Sequence, residues 1–462
     1  MSTEGVGGAP LPADERVGVE EFGYRQELRR ALSFWDLLVY GMIFMVPIAP
    51  FGIFGYVFGA SKGMVALAYL IGMVAMFFTA MSYRAMSRDF PVSGSVYAYA
   101  QRGIGQAAGF FAGWLILLDY ILIPALLYVV SAAALSPLFP GVPRAAWVVG
   151  FLLIGAAINL RGVELTARTN RVFLVLELTV LFAFLLVGLI ALYSGAGAGR
   201  LTLAPLYQPG VVTPALVGAA VSVAALSFLG FDAISTLSEE VKDRRRNTVG
   251  RATLAALFLM GGLFILQTWV AADLSRGLTF KSPDTAFYEA AAVAGGGWLS
   301  LLTAGATALA WGVANSLVSQ AAISRILYAM ARDRQLPAPL ARVHPTFKTP
   351  YVSILIVVLV SLVVALAFID DVARLTNLVN FGALTGFLFL HASVIYHFLV
   401  RRGSRNYFSH LLLPGIGFVI IAYVLYTMNT ETKLLGLGWL AVGIVYYLVL
   451  TRVLRRGAAL EV

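Results

Sequence analysis

The stretch Met42–Gly59 reads MIFMVPIAPFGIFGYVFG. It is almost entirely apolar, as a membrane-crossing segment of about 20 residues must be. Yet Pro47, Pro50 and Gly52 fall within six residues in its middle. Proline lacks a backbone donor and its ring clashes with the preceding turn, so one continuous helix is not expected here. Unwound backbone at membrane depth persists only where it is buried in protein or lines a cavity. A second stretch, Val221–Glu240, reads VSVAALSFLGFDAISTLSEE and places Gly230 between Ser227 and Asp232 in mid-span. Either stretch alone would pass for an ordinary kink. Together they occupy the first and sixth of the hydrophobic spans. Interruptions at matching places in two halves are the sequence mark of an inverted-repeat transporter, with its site at the breaks. Helix halves that end at such breaks present positive N-terminal and negative C-terminal ends to the charged groups of a substrate. No residue-level repeat between the halves is evident.

Composition agrees. The chain has 462 residues, 60% hydrophobic and 12% charged, with a mean hydropathy of +0.85. A soluble chain is about 25% charged, so a soluble enzyme, a disordered chain and a fibrous protein are all excluded. Cysteine is absent, which removes disulfides, cysteine metal sites and thiol chemistry. The four histidines, His344, His391, His397 and His410, lack the spacing of a metal motif such as HExxH. An intramembrane enzyme would need a nucleophile–base or metal constellation, and a channel a repeated pore segment. Neither is present, and no cofactor is expected.

Twelve spans emerge: Ser33–Ala60, Met64–Tyr83, Gln106–Leu135, Arg144–Leu160, Asn170–Tyr193, Val211–Leu237, Ala252–Ala272, Trp298–Met330, Pro350–Ile369, Leu375–Val400, His410–Asn429 and Leu437–Leu454. The fold class is therefore an all-α integral membrane protein. Residues 1–32 read as a polar cytoplasmic tail without the features of a signal peptide, and residues 455–462 as a second tail. With the N terminus inside, all but seven of the 33 basic residues fall on the cytoplasmic side, the exceptions being Lys62, Arg144, Arg200, Arg276, Lys281, Arg374 and Lys433. That bias follows the positive-inside rule. The net charge of +10 is thus a topology signal and a means of contact with anionic lipid. The run KDRRR at Lys242–Arg246 reads as a topology anchor, not a nucleic-acid patch. The expected partners are membrane lipid and a small molecule, with oligomeric state open.

Five stretches carry a resemblance: FPVSGSVYAYAQRGIGQAAGFFAGW (Phe90–Trp114), LSFLGFDAISTLSEE (Leu226–Glu240), SRILYAMARDRQLP (Ser324–Pro337), VHPTFKTP (Val343–Pro350) and LVNFGAL (Leu378–Leu384). Through them the chain resembles the amino acid–polyamine–organocation transporters. With LLDY at Leu117–Tyr120, it is similar to bacterial putrescine-importer-like permeases within that family. The resemblance implies a leucine-transporter-type fold: a 5+5 inverted repeat over residues 33–193 and 211–400, then two helices over 410–454. It also implies proton-coupled transport, or exchange, of amino acids or amines across the bacterial inner membrane. Two departures stand out. The importers carry an acidic residue where this chain has Gly52, and many amino-acid permeases carry Lys where this chain has Glu177.

The expected substrate-binding residues lie at the breaks and facing them: Ile48, Ala49, Pro50, Phe51, Gly52 and Ile53 from the first; Ser227, Phe228, Leu229, Gly230 and Phe231 from the sixth; and Tyr120 and Trp311 beside them. Ionisable groups inside a span are costly and by default functional. Asp119 is read either as a proton carrier or counter-charge to a substrate amine, or as a hydrogen-bonded packing group. Glu177 is read either as a proton carrier or as the partner of Arg168 or Arg171. Asp232 reads as a cap or gate on the second half of the sixth span, or else as a substrate contact. Glu239 and Glu240, near the inner face, read as gate or solvated groups, and Asp36 as a gate or the partner of Arg29 or Arg30.

Overall fold

In this computed structural model, the structure describes residues 32–92, 94–161, 167–242, 247–332, 334–347 and 349–453. Both tails, apart from Leu32, and all of the KDRRR run but Lys242 lie outside the described residues.

Ser33 and Asp36 open the first helix, α1 (Phe34–Met45), with a reciprocal capping box: the Ser33 hydroxyl accepts the Asp36 N–H, and the Asp36 carboxylate accepts the Ser33 N–H at 3.0 Å. The box satisfies two donors that a helix start leaves unpaired. The chain breaks after Met45 and resumes as α2 (Ala49–Ala60), bent by 48° from α1. Helix α3 (Val65–Asp89) follows, and α4 (Ser95–Gly103) is a short helix that leads into α5 (Gln106–Leu135). The thirty residues of α5 are almost wholly buried, as befits the central post of the molecule. Next come α6 (Arg144–Arg161) and α7 (Ala167–Tyr193), then α8 (Pro214–Phe228), which gives way to a 3-10 segment over Asp232–Glu240.

The second half contains α9 (Thr248–Leu274), the short α10 (Ala286–Gly295) and α11 (Gly297–Leu309). A π turn over Ala310–Asn315 joins α11 to α12 (Ser316–Arg332). Then follow α13 (Tyr351–Ala367), α14 (Val372–Ile395), α15 (Leu413–Thr427) and α16 (Thr430–Leu448). Among the described residues the only β pairing is an isolated bridge between Leu32 and Val241. It ties the start of α1 to the end of the 3-10 segment, with Leu32 N–H donating to Glu240 O at 2.9 Å.

Among the described residues ten helical spans are long and apolar enough to cross a membrane, and the bent pair α1–α2 makes an eleventh when counted as one. Helix α13 is apolar but shorter, at 17 residues. The apolar stripes face outward: on α7, Val172, Val175, Phe182, Leu186 and Ile190 are all more than half exposed. So large an apolar surface is stable in lipid and not in water. The last span begins at Thr430, seven residues earlier than hydropathy places it. There Asn429 caps the helix by accepting the Thr432 N–H at 2.8 Å, so a polar first turn is helical without being apolar.

The core is set by α5 and α14. Gly382 of α14 lets the two backbones touch: a Cβ there would sit 2.5 Å from Asp119 N and 3.1 Å from Leu115 O. Nearby, Asn380 Nδ2 donates to Ser222 O at 2.7 Å, which fastens α14 to α8. These contacts hold α5 beside the interrupted span whose break is described next.

Candidate functional site

At the first break Val46 adopts φ +56°, a left-handed conformation that costs a β-branched residue energy. Pro47 follows, and Pro50 lies in the first turn of α2, where its missing N–H is harmless. Freed backbone groups find partners. Val46 N–H donates to Met42 O at 3.1 Å and Ala49 N–H to Val46 O at 2.8 Å. Gln267 Nε2, from α9, donates to Pro47 O at 3.0 Å.

At the second break Leu229 is extended and Gly230 has φ +114°, a conformation that L side chains rarely adopt. The Asp232 carboxylate bridges the interruption. Its Oδ1 accepts the Gly230 N–H at 3.1 Å and its Oδ2 accepts the Tyr120 hydroxyl at 3.3 Å. The two breaks touch: a Cβ on Gly230 would lie 3.0 Å from the carbonyl carbon of Phe44 and 3.1 Å from its oxygen.

Between them is a cavity of about 30 Å³. The first break contributes Phe44, Met45, Val46 and Ala49, and the sixth span contributes Leu226 and Leu229. From α5 come Ile123, Leu126 and Leu127, and from the π turn Trp311 and Asn315. Small-molecule sites commonly enclose roughly 300–1,000 Å³, and this cavity is well below that size.

The residues expected at the site divide into two sets. Ala49, Leu229 and Trp311 line the cavity. Gly52 backs onto it, because a Cβ there would lie 2.7 Å from Val130 Cγ1 and 3.4 Å from the Trp311 ring. The indole and Val130 thus fill the space where a longer residue 52 would project. Ile48, Pro50 and Ile53 are buried in the break and in the first turn of α2. Phe51 turns away and stacks on Phe287 at 3.8 Å, beside Phe184. Phe231 packs against Tyr83 and Phe387, not over the cavity. Phe228 packs on Tyr69 and Phe264, and the Ser227 hydroxyl bonds that of Tyr69 at 2.9 Å.

The acids separate likewise. Asp119 precedes Ile123, Leu126 and Leu127 by four, seven and eight residues, so it continues their face of α5 by one turn. It is 4% exposed, and among the described residues its Oδ1 has no hydrogen-bond partner. Glu177, on α7, is 3% exposed, with Oε2 equally unpartnered. Among the described residues it forms no ion pair with Arg171, and the side chain of Arg168 lies outside them. Asp232 opens the 3-10 segment and holds Gly230, two residues before it, so its bond clamps the break as well as flanking the next segment. Asp36 belongs to the capping box, and Arg29 and Arg30 lie outside the described residues. Glu239 and Glu240 sit at the end of the 3-10 segment, which the Leu32–Val241 bridge holds.

Sequence reasoning did not single out Asn315, Leu226 or the α5 stripe. The stripe was legible as a continuation of Asp119. Asn315 was not, because π turns carry no composition signature.

At the far end of the bent span a polar cluster closes over α2. Arg144 pairs with Asp284 at 3.1 Å and with Asp370 at 3.4 Å, and Tyr56 of α2 donates to Asp284 at 2.5 Å. Among the described residues no group of three or more His, Asp or Glu is placed to hold a metal.

Comparison with known proteins agrees with this architecture. The amino acid permease family profile matches residues 45–436. The chain is 34% identical to the low-affinity putrescine importer PlaP of Escherichia coli (strain K12), over 93% of this chain and 96% of the importer. It is 26% identical to the methylthioribose transporter of Bacillus subtilis (strain 168), over 92% and 94% of the two chains. It is 24% identical to the branched-chain amino acid permease BcaP of the same organism, over 92% and 94%. All are transporters and none is an enzyme. The chain belongs to the amino acid permease family, within the amino acid–polyamine–organocation superfamily.

Proposed function

We propose that this protein is a secondary active transporter that imports an amino acid or an organic amine across the bacterial inner membrane by alternating access. The observation that carries this reading is the meeting of the two helix breaks, Gly230 against Phe44, around one cavity. In this reading α13 is a span despite its length, giving twelve spans in all. The first ten form a leucine-transporter-type 5+5 repeat, and both termini are cytoplasmic, as the distribution of basic residues favours.

The small cavity and the Arg144–Asp284–Tyr56 cluster support alternating access. The cluster closes the end of the molecule that carries few basic residues, which is the outer end under the positive-inside rule. Release of that cluster admits substrate from outside, and the inner end then opens in turn.

Protons are the proposed coupling ion. Among the described residues the buried ionisable side chains include Asp119, Glu177, Asp232 and Asp273, with no buried Lys or Arg. Asp273 is occupied, since its carboxylate accepts from Thr202 at 2.6 and 2.8 Å. An interior that holds these acids beside His391 and His397, with no Lys or Arg, suits the carriage of positive charge, as a proton or as an ammonium group. Asp119 and Glu177, each with an unpaired oxygen, are the proposed carriers. The named substrates of the relatives, putrescine, methylthioribose and branched-chain amino acids, span several chemistries, and an amino acid or amine fits the acid-rich interior best.

Reconstitution tests this. Purified protein in liposomes, offered labelled amino acids and amines, takes up at least one of them, faster with an alkaline interior. Glu177→Gln and Asp119→Asn reduce that pH-driven component. Counterflow that persists at full rate without any pH gradient marks exchange in place of symport. Absence of uptake and of exchange for the whole panel overturns the assignment.

A further inference from the structure

The side chains that line the cavity between the breaks are apolar except on one wall. That wall is Trp311 and Asn315, both presented by the π turn Ala310–Asn315. A π turn is wider than an α turn and recurs at functional sites, and here it brings two side chains four residues apart to one cavity. Both are buried, at 3% and 8% exposure. Among the described residues the indole Nε1 has no hydrogen-bond partner, and neither has Asn315 Oδ1. Buried polar groups are nearly always bonded, so two orphans on one cavity mark a place where a ligand supplies the missing bonds.

Their chemistry restricts that ligand. The indole only donates, and the amide oxygen only accepts. A group that satisfies both must accept one hydrogen bond and donate another, as a hydroxyl or an amide does. An ammonium only donates and a carboxylate only accepts. Among the described residues no charged side chain lines the cavity, so a full charge against this wall would lose its water without gaining a counter-ion.

We propose that Trp311 and Asn315 are specificity-determining residues that take an uncharged hydroxyl or amide group at the end of the substrate remote from its charged centre. The site therefore selects such substrates over those that bear a second charge at that end. This assignment rests on the transport reading above and names the substrate class of the same site. Ile123, Leu126 and Leu226 pack along the intervening methylene chain. The charged centre lies at the unwound backbone of the breaks and toward the unpaired oxygen of Asp119.

Two matched series test it with the full-length protein. The amines are aminobutanol, diaminobutane and butylamine; the amino acids are hydroxynorvaline, ornithine and norvaline. Within each series only the terminal group changes, from hydroxyl to ammonium to methyl. Binding is read by thermal shift, since a ligand of the folded state raises the melting temperature, and by competition in counterflow. In at least one series the hydroxyl member binds at least about tenfold more tightly than the ammonium member. Asn315→Asp supplies a counter-charge and reverses that order. Trp311→Phe keeps a ring, removes the donor and weakens the hydroxyl member about tenfold more than the methyl member, and the ligand-free melting temperature reports that the variant is folded. Preference of the unaltered protein for the ammonium member in both series overturns the assignment, as does an Asn315→Asp variant with unaltered order. If none of the six binds while other amino acids or amines are transported, the specificity assignment falls and the transport reading stands. If nothing at all is transported, both fall.

Discussion

In the first broken span the interruption is written into the covalent chain, whereas in the sixth it is held by partners from elsewhere in the fold. Pro47 and Pro50 cannot continue α1 whatever surrounds them, and the bend of 48° follows. The sixth span contains no proline in its interruption. Its break consists of Gly230 at φ +114°, clamped by the Asp232 carboxylate, which the Tyr120 hydroxyl of α5 supports in turn. A proline break is fixed. A hydrogen-bonded break can change its partners, so under the proposed function the sixth span supplies the adjustable wall of the cavity and the first the rigid one.

The contrast is easiest to break at its two glycines. Gly230→Ala puts a Cβ about 3 Å from the backbone of Phe44 and forces a left-handed conformation worth about 1–3 kcal/mol of strain. It should lower the unfolding temperature of the purified protein and abolish uptake. Gly52→Ala meets chiefly the Val130 side chain, in ordinary helix, so its stability loss should be clearly smaller. Equal losses would remove the distinction. Asp232→Asn keeps the shape but weakens a charge-assisted bond, at about 1.5–3 kcal/mol. It should be visible in thermal unfolding and as faster hydrogen exchange confined to residues around Gly230, with α1 and α2 unchanged. The smallest expected effect is that of Tyr120→Phe, which removes one long bond. Buried hydrogen bonds within membrane proteins average about 0.6 kcal/mol, so stability should fall only slightly while uptake slows, because the clamp on the adjustable wall is loosened. A Tyr120→Phe loss as large as that of Gly230→Ala would contradict the ranking.

The same contrast explains what the sequence made legible. Spans are readable because lipid demands long apolar runs, and Gln106–Leu135 is recovered to the residue. The first break is readable because proline acts locally. The second rests on one glycine, which is a weak signal until the carboxylate two residues later is seen to hold it. Phe51 and Phe231 sit beside the breaks in sequence, yet the structure turns both rings into aromatic packing, because adjacency on a helix fixes only direction, not distance to the cavity. Asp36 shows the converse. The pattern Ser33-x-x-Asp36 is a capping box in plain view, although an acid near a membrane face invites a gating role. Asn315 was hidden for a different reason: its position depends on a π turn, and nothing in ALAWGVANS (residues 308–316) announces one.

The central claim is that the two breaks share one substrate cavity, and the chain's lack of cysteine allows a direct measurement. Single cysteines at Ala49, Leu229 and Phe231 are exposed to a thiol reagent in liposomes, with and without the amino acid or amine that uptake selects. The account predicts that this substrate protects Ala49→Cys and Leu229→Cys, one on each break, and leaves the labelling of Phe231→Cys unchanged. Protection at neither of the first two, or at Phe231→Cys alone, would contradict it.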